Sequence, residues 1–241
     1  VCNDGSTDNT LQILIDAFSL VPVTPAVIQK ITTKPVKSYY RSRTHSKLFV
    51  IDKENGGKAD SLNAGINATT SPLFMAIDAD TIVEKDAIRH MVPSLLTGKG
   101  IVALGGTIRI ANECKIEKGQ IKQINYPRHF LPAIQVVEYL RAYLFGRTGF
   151  NRLGGNLVIS GAFGIFDKRA VSEIGGYSTK TVGEDLEIIM RLYHQRLKKK
   201  QECFVKFIGD TVAWTEVPDN LATLGRQRER WHRGLMQSLW L

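Results

Sequence analysis

The sequence predicts an α/β fold, a mixed sheet flanked by helices. Strand-like apolar runs, polar or glycine-rich loops and stretches of helical spacing alternate several times along the chain, which is the rhythm of βαβ units. Two of the runs end in acidic residues, as strands do when they deliver side chains to a ligand at the carboxyl edge of a sheet. The 241 residues are 43% hydrophobic, enough for one large domain with a core of its own or for two small ones.

At the start of the chain "VC" reads as the last step of a strand, and "LQILIDAF" has helical spacing. Residues 21–46 hold three of the eight prolines and the basic, aromatic piece "KSYYRSRTHSK"; they read as a strand and an exposed excursion. "KLFVID" is a strand, "KENGGK" a turn, and "ADSLNAGINA" a helix with Leu62 and Ile66 four apart on one face. "PLFMAI" is a buried strand ending in Asp78-Ala79-Asp80. "EKDAIRHMVPSLL" is a helix that Pro93 interrupts or ends, and "GIVALGGTIRI" is a strand.

Residues 131–147, "LPAIQVVEYLRAYLFGR", have helical length and are apolar around most of the circumference. Such a helix lies deep in a core or at an interface, and a core position is the expectation. Strand-like "NLVISGAFGIF" follows, then helix "DKRAVSEIGG" with a glycine stop. Next come helix "EDLEIIMRLYHQR", strand-like "CFVKFIGDTVAWTEV" and a long final helix, with Asp219 placed to cap it after Pro218. No linker is visible, so residues 1–241 read as a single domain.

Charged residues make up 23%, which argues against a disordered or fibrous chain. The net charge of +9 favours anionic partners such as nucleotide phosphates, nucleic acid or an anionic membrane surface. The three cysteines are widely spaced and form no CxxC pair, so neither a disulfide framework nor a zinc site is expected. There is no signal-peptide pattern and no apolar run of membrane-spanning length. The abrupt start inside a strand reads as a fragment cut from a longer chain.

Several short stretches can carry chemistry. Side chains two apart on a strand share a face, so Asp78 and Asp80 can aim two carboxylates at one point. A hard cation such as Mg²⁺ or Mn²⁺ would relieve their repulsion, although D-x-D also marks solvated loops and helix caps. Asp4 and Asp8 flank a Gly-Ser-Thr turn that leads into a helix. Asp4 can accept from a nucleobase or ribose, while Ser6, Thr7 or Asp8 can cap the helix. "NGGK" resembles half of a phosphate loop without its full spacing; Lys58 can reach a diphosphate or simply face solvent.

Glu184 and Asp185 open a helix, where its dipole stabilises an anion suited to act as a base; an ordinary acidic helix start reads the same way. Gln227, Arg230 and Trp231 fall at i, i+3 and i+4 on one face of the last helix. Arginine grips phosphate with two bonds and tryptophan offers a plate for a sugar ring, while an amphipathic helix with a half-buried tryptophan is the plainer alternative.

In order, "VCNDGSTDNT", "ENGGKADSLNAGI", "AIDADT", "ISGAFGIFDKRAVSEIGGY", "VGEDLEI" and "QRERW" resemble the motifs of family 2 glycosyltransferases. The Q-x-x-R-W element resembles the processive branch that makes cellulose, chitin, hyaluronan and poly-N-acetylglucosamine. The resemblance implies a GT-A fold, a Rossmann-like sheet for a nucleotide sugar, with the family's first strand and helix lying before Val1.

It further implies that Asp4 contacts uracil, Lys58 lies near the nucleotide, and Asp78 contacts both nucleotide and metal. Asp80 would hold Mg²⁺ or Mn²⁺ on the diphosphate, and Asp185 would be the general base of an inverting transfer. Gln227 and Arg230 would grip the diphosphate; Trp231, Ser160, Gly161 and Glu184 would border the acceptor. The implied partners are a UDP-sugar, an oligosaccharide or polysaccharide acceptor and, for the full-length protein, the cytoplasmic face of the cell membrane, with no nucleic acid; under this resemblance helix 132–146 and the basic C-terminal helix would face the membrane or the channel mouth. N-acetylglucosamine is the first expectation for the sugar and glucose the second. Gly183 stands where many members of that branch carry threonine. A non-processive transferase acting on a lipid or protein, an idle nucleotide-sugar binding module and a nucleic-acid binder using the basic stripe are the alternatives.

Overall fold

A computed structural model of the chain describes residues 1–240; Leu241, the last residue of the expected single domain, lies outside the described residues. The chain divides into two compact units, Val1–Pro72 with Val171–Lys180, and Leu73–Ala170 with Thr181–Leu241.

The first unit is built on β1 (Cys2–Asp4), α1 (Thr10–Phe18), β2 (Leu20–Val23), β3 (Val36–Ser42), β4 (Phe49–Lys53) and α2 (Gly57–Ala68). Its sheet has the order β1-β4-β3-β2, with β1 parallel to β4 and the other pairs antiparallel. The N-cap of α1 is Asn9, with no side-chain cap bond; Asp8, one residue earlier, forms an Asx turn into the helix, its Oδ1 accepting from the Thr10 amide at 3.0 Å. "KSYYRS" is not an exposed excursion: it is β3, paired on both sides. The adjacent tyrosines suit a pleated surface, and Arg41 lies over the Phe49 ring. Residues 24–35 form the connection instead.

The core of this unit includes Leu20, Ile31, Val50, Ile51 and Ile66. Residues 171–180 are pinned to α2 by Asn63, which donates to the Tyr177 carbonyl at 2.9 Å and accepts from its amide at 2.7 Å. The expected glycine stop is present at Gly175 and Gly176, both with positive φ. Only glycine fits at 176, because a Cβ there would lie 2.4 Å from Asn63 Oδ1.

The second unit contains β5 (Leu73–Ile77), β6 (Ile82–Val83), α3 (Ala87–Thr97), β7 (Ile101–Ile110), β8 (Lys115–Glu117) and β9 (Gln120–Gln123). There follow α4 (Phe130–Leu140), a π-helical segment (Arg141–Arg147), α5 (Thr148–Arg152) and β10 (Phe163–Asp167). Helix α6 (Lys168–Glu173) begins in this unit and ends in the first, and α7 (Glu184–Lys198), β11 (Phe204–Thr215) and α8 (Leu221–Trp240) complete the second. The sheet order is β5-β10-β7-β11-β6; β7 and β11 run parallel and the other pairs antiparallel. Strand β7 is buried along nearly its whole length, which explains its continuous apolar reading. Met91 and Leu95 of α3 pack with Leu104, Ile108, Phe163, Ile165, Phe207 and Tyr143.

Four details depart from the sequence reading. Helix α3 runs through Pro93 to Thr97, since a single missing amide removes only the bond to the Arg89 carbonyl. The hairpin β8–β9 went unread because its strands are short and polar; Lys118 and Gly119 both take positive φ at its turn. Of "NLVISGAFGIF" only the second half is strand, residues 156–162 being loop. The cap of α8 is Asn220 rather than Asp219: Asn220 Oδ1 accepts from the Thr223 amide at 2.9 Å.

The largest correction concerns residues 131–147, which do not form a core helix. Along α4, only Pro132 and Gln135 are buried, and in the π-helical segment only Tyr143. Phe130, Val137 and Phe145 are 77%, 66% and 78% exposed, and Leu144, Phe150, Leu153 and Leu157 extend the apolar surface. Among the described residues no helix is long and apolar enough to cross a membrane.

Candidate active site

In the first unit the register of β1 with β4 sets Asp4 opposite Lys53. Lys53 is fully buried and pairs with Asp4 Oδ1 at 2.7 Å and Asp60 Oδ1 at 2.6 Å. The Gly56 and Gly57 amides donate to Asp4 Oδ1 and Oδ2 at 3.0 and 2.7 Å, and Asn55 Nδ2 donates to the Asp4 carbonyl. Asp4 therefore ties the "NGG" turn and the start of α2 to the sheet. An ionised carboxylate offers about four acceptor positions, so one on Oδ2 is left for a ligand donor. Burial pushes the Asp4 carboxyl up, but the Lys53 hydrogen bond, the two glycine amides and the Lys53 charge outweigh it and hold it below the ordinary 3.8. Lys58 is exposed in the first turn of α2.

Lys53→Met is expected to destabilise the protein by about 3–5 kcal/mol, because it leaves two carboxylates facing an uncharged side chain. Burial pulls the Lys53 ammonium down, yet the bonds and charges of Asp4 and Asp60 raise it above the ordinary 10.5. A depressed acid contributes stability that is lost as pH falls through its folded pKa; a raised base contributes stability that is lost as pH rises through its own. The difference between wild type and variant should thus be flat from about pH 5 to 9 and shrink outside that window. Thermal unfolding across the pH range checks both parts.

In the second unit β5 and β6 lie at opposite edges of the sheet, yet residues 78–81 alone connect them. A flat sheet of five strands is about 19 Å across, so the sheet curls to bring its edges within reach of this link. The Thr81 amide donates to the Asp78 carbonyl at 3.1 Å, closing a turn. Asp78 and Asp80 thus stand in a turn beyond the strand, not on one strand face as the sequence reading had them. Asp78 is half-buried and Asp80 exposed. Among the described residues Asp80 has no hydrogen-bond or ion-pair partner, and no group of three or more His, Cys, Asp or Glu could hold a metal by itself. Two carboxylates two residues apart in one turn, the second of them exposed, fit Mg²⁺ or Mn²⁺, which take one or two carboxylates together with substrate phosphates and water.

Strand β5 pairs with β10 so that Ile77 faces Phe163; Asp78 therefore leaves the sheet beside the turn that holds Ser160 and Gly161. The Gly161 amide donates to Asp185 Oδ2 at 3.2 Å, and the Leu186 amide to Asp185 Oδ1 at 2.9 Å. Asp185 and Glu184 are half-buried in the first turn of α7, where the helix end favours negative charge. Tyr143, whose helical spacing alone gives no sign of it, joins this cluster. Its hydroxyl bonds Ser160, and Arg147 lies over its ring at 4.6 Å while donating to the Val158 carbonyl. Burial pushes the Tyr143 hydroxyl up, and the Asp185 charge adds to that; Arg147 and the Ser160 bond oppose it.

Helix α8 packs on α7 and carries Gln227, Arg230 and Trp231. Gln227 is half-buried, and its Oε1 is enclosed with no hydrogen-bond partner. Arg230 is exposed and Trp231 is 41% exposed. The intervening Arg228 makes a two-pronged ion pair with Glu138 of α4, at 2.7 and 2.5 Å, and covers the Trp231 ring at 4.5 Å. The sequence reading passed over Glu138 and Arg228, which lie 90 positions apart. At the other end Gly234 meets Gly183 backbone to backbone. That contact accounts for glycine at 183, since a side chain there would strike α8.

The model of the family described as "Glycosyl transferase family group 2" matches residues 73–241, well over half of the chain. Poly-beta-1,6-N-acetyl-D-glucosamine synthase of Staphylococcus aureus (strain COL) is 29% identical over 236 residues, 97% of this chain and 46% of that protein. The synthase of the same name from Staphylococcus epidermidis is 26% identical over 244 residues, all of this chain and 48% of that protein. The chain thus spans about half the length of the curated relatives it matches.

Among solved structures, the mannosyltransferase PcManGT from Pyrobaculum calidifontis in complex with GDP-Man and Mn²⁺ superimposes with a TM-score of 0.63 at 14% identity, over 100% of this chain and 54% of its own. Glucosyl-3-phosphoglycerate synthase from Mycobacterium tuberculosis, with Mn²⁺, UDP and glucosyl-3-phosphoglycerate, gives 0.52 at 17% identity, over 99% of this chain and 67% of its own. The fold is that of the GT-A glycosyltransferases. The chain belongs to glycosyl transferase family group 2.

Proposed function

We propose that the chain is the catalytic domain of a longer, membrane-associated protein that moves N-acetylglucosamine from a UDP-sugar to a growing β-linked polysaccharide, with inversion. One observation carries this reading. The Asp185 carboxylate is held by the Gly161 amide at a helix start, and α8, with Gln227, Arg230 and Trp231, is anchored to the residues just before it.

In the proposed reaction Asp185 takes the proton of an acceptor hydroxyl. The hydroxyl oxygen then bonds to the anomeric carbon, and the bond from that carbon to the diphosphate oxygen breaks, releasing UDP. The amide of Gly161 keeps the base aimed without neutralising it. Arg230 pairs with the diphosphate and Trp231 stacks on the acceptor sugar. Gln227 Oε1 gains a hydroxyl donor that the protein itself does not provide, since its amide oxygen is otherwise buried without a partner. Asp78 and Asp80 would hold a divalent cation, which when bound neutralises charge on the departing diphosphate. Asp4 and Lys58 are assigned to the nucleotide, and Ser160 and Glu184 to the acceptor end.

The sugar and the polymeric acceptor are supported by the similarity to two poly-beta-1,6-N-acetyl-D-glucosamine synthases. Attachment at the cytoplasmic face of a membrane is supported by the exposed apolar surface of residues 130–157, by exposed Leu239 and Trp240, and by the net charge of +9. Screening labelled UDP-sugars against the full-length protein in membranes tests the reading. Incorporation from UDP-N-acetylglucosamine into long products is expected. Incorporation from none of the donors would overturn it, and a product one sugar longer than its acceptor would favour the non-processive alternative.

A further inference from the structure

We propose that Gly183 and Gly234 are positioning residues whose backbone contact sets the spacing between the Asp185 carboxylate and the Arg230–Trp231 stripe. The inference rests on the transferase reading above. A Cβ built on Gly183 would lie 2.8 Å from the Gly234 Cα and carbonyl carbon and 3.0 Å from its oxygen. One built on Gly234 would lie 2.7 Å from the Gly183 Cα and 2.8 Å from its nitrogen. These are backbone atoms of a helix and of a helix cap, so neither can swing aside as a side-chain end would.

The contact is built on both sides. Gln237 Oε1 accepts from the Val182 amide at 3.0 Å, and Ser238, buried, bonds the Gly234 carbonyl at 2.8 Å and the Gly183 carbonyl at 3.4 Å. Gly183 is also the cap of α7, its amide donating to Thr181 Oγ1 and its carbonyl accepting from Glu187. The distances place function on both flanks. Asp185 lies two residues beyond Gly183 in the first turn of α7. Gly234 lies three residues after Trp231 and four after Arg230, on the same face of α8. Relief of a 2.8 Å overlap to an ordinary carbon–carbon separation of about 3.5–4.0 Å moves α8 by roughly 1 Å relative to the base. A shift of that size between reacting groups costs on the order of 100-fold in rate.

The test uses the full-length protein carrying Gly183→Ala, Gly234→Ala or, as control, Gly225→Ala. Gly225 lies on the same helix and its added methyl meets nothing within 4 Å. Sugar transfer, uncoupled UDP release and hydrogen exchange at the Val182 amide are measured for each. The first two variants should lose transfer about 100-fold, while UDP release to water falls much less, so that the ratio of release to transfer rises. Val182 should lose protection, and the control should behave as wild type.

Wild-type transfer in Gly183→Ala, or a parallel loss of transfer and UDP release, would overturn the proposal. If both glycine variants fail to fold, Gln237→Ala decides: it deletes only the Val182 bond and should raise the release-to-transfer ratio, and an unchanged ratio overturns the proposal. A wild-type protein that transfers no sugar would sink the transferase reading. Retained protection of Val182 in Gly183→Ala would independently sink the contact.

Discussion

Asp185→Asn is expected to lower sugar transfer by about 10²–10⁴-fold, the usual contribution of a positioned general base. The substitution keeps the size and shape of the side chain, and an amide oxygen can still accept from Gly161, so α7 and its packing should persist. What is lost is the capacity to take a proton. UDP affinity should stay within a few-fold of wild type, because the assigned nucleotide contacts lie elsewhere. Transfer assays on the full-length variant, with calorimetric titration of UDP alongside, separate the two effects. Transfer at the wild-type rate would remove Asp185 from the mechanism, whereas parallel loss of transfer and UDP binding would make it a binding residue.

Asp80→Ala is expected to abolish the dependence of UDP affinity on Mg²⁺ or Mn²⁺. Asp80 stands exposed in a turn, with no partner of its own among the described residues and with Asp78 two positions away. Asp80 has no fold-stabilising task as evident as that of Asp4, so the variant should unfold at the wild-type temperature. Titrations of UDP with and without the cation should differ for wild type and coincide for Asp80→Ala. A variant that keeps the metal response would show that the cation is held by other groups.

The elements that were legible in the sequence are those whose burial is one-sided or complete over many residues. The run "GIVALGGTIRI" could hardly be anything but a buried strand, and β7 is one. The acidic start and basic end of α7, and the two glycines after α6, announce helix boundaries through the helix dipole and through positive φ. The residues proposed to carry chemistry stand out as short motifs, because the turn at Asp78–Thr81 and the start of α7 are local structures.

What stayed hidden depends on register and on pairs distant in sequence. Lys53 reads as the polar end of a strand until β1 is laid against β4 and sets Asp4 across from it. Glu138 and Arg228 look like ordinary surface charges until α8 is packed on the rest of its unit. The helix around 131–147 has an apolar pattern that cannot distinguish burial by protein from exposure toward another apolar phase. Its periodicity reports the side chains and not what covers them. Gly183 looked like a lapse in a motif; only the proximity of Gly234 gives it a reason.

The most direct measurement is a structure of the domain with a UDP-sugar, Mn²⁺ and an acceptor oligosaccharide, captured with Asp185→Asn. The acceptor hydroxyl is expected within about 2.6–3.2 Å of the side chain at 185, with Arg230 on the diphosphate and Trp231 against the acceptor ring. An acceptor seated away from residue 185, with α8 touching neither sugar nor diphosphate, would contradict the proposed reaction.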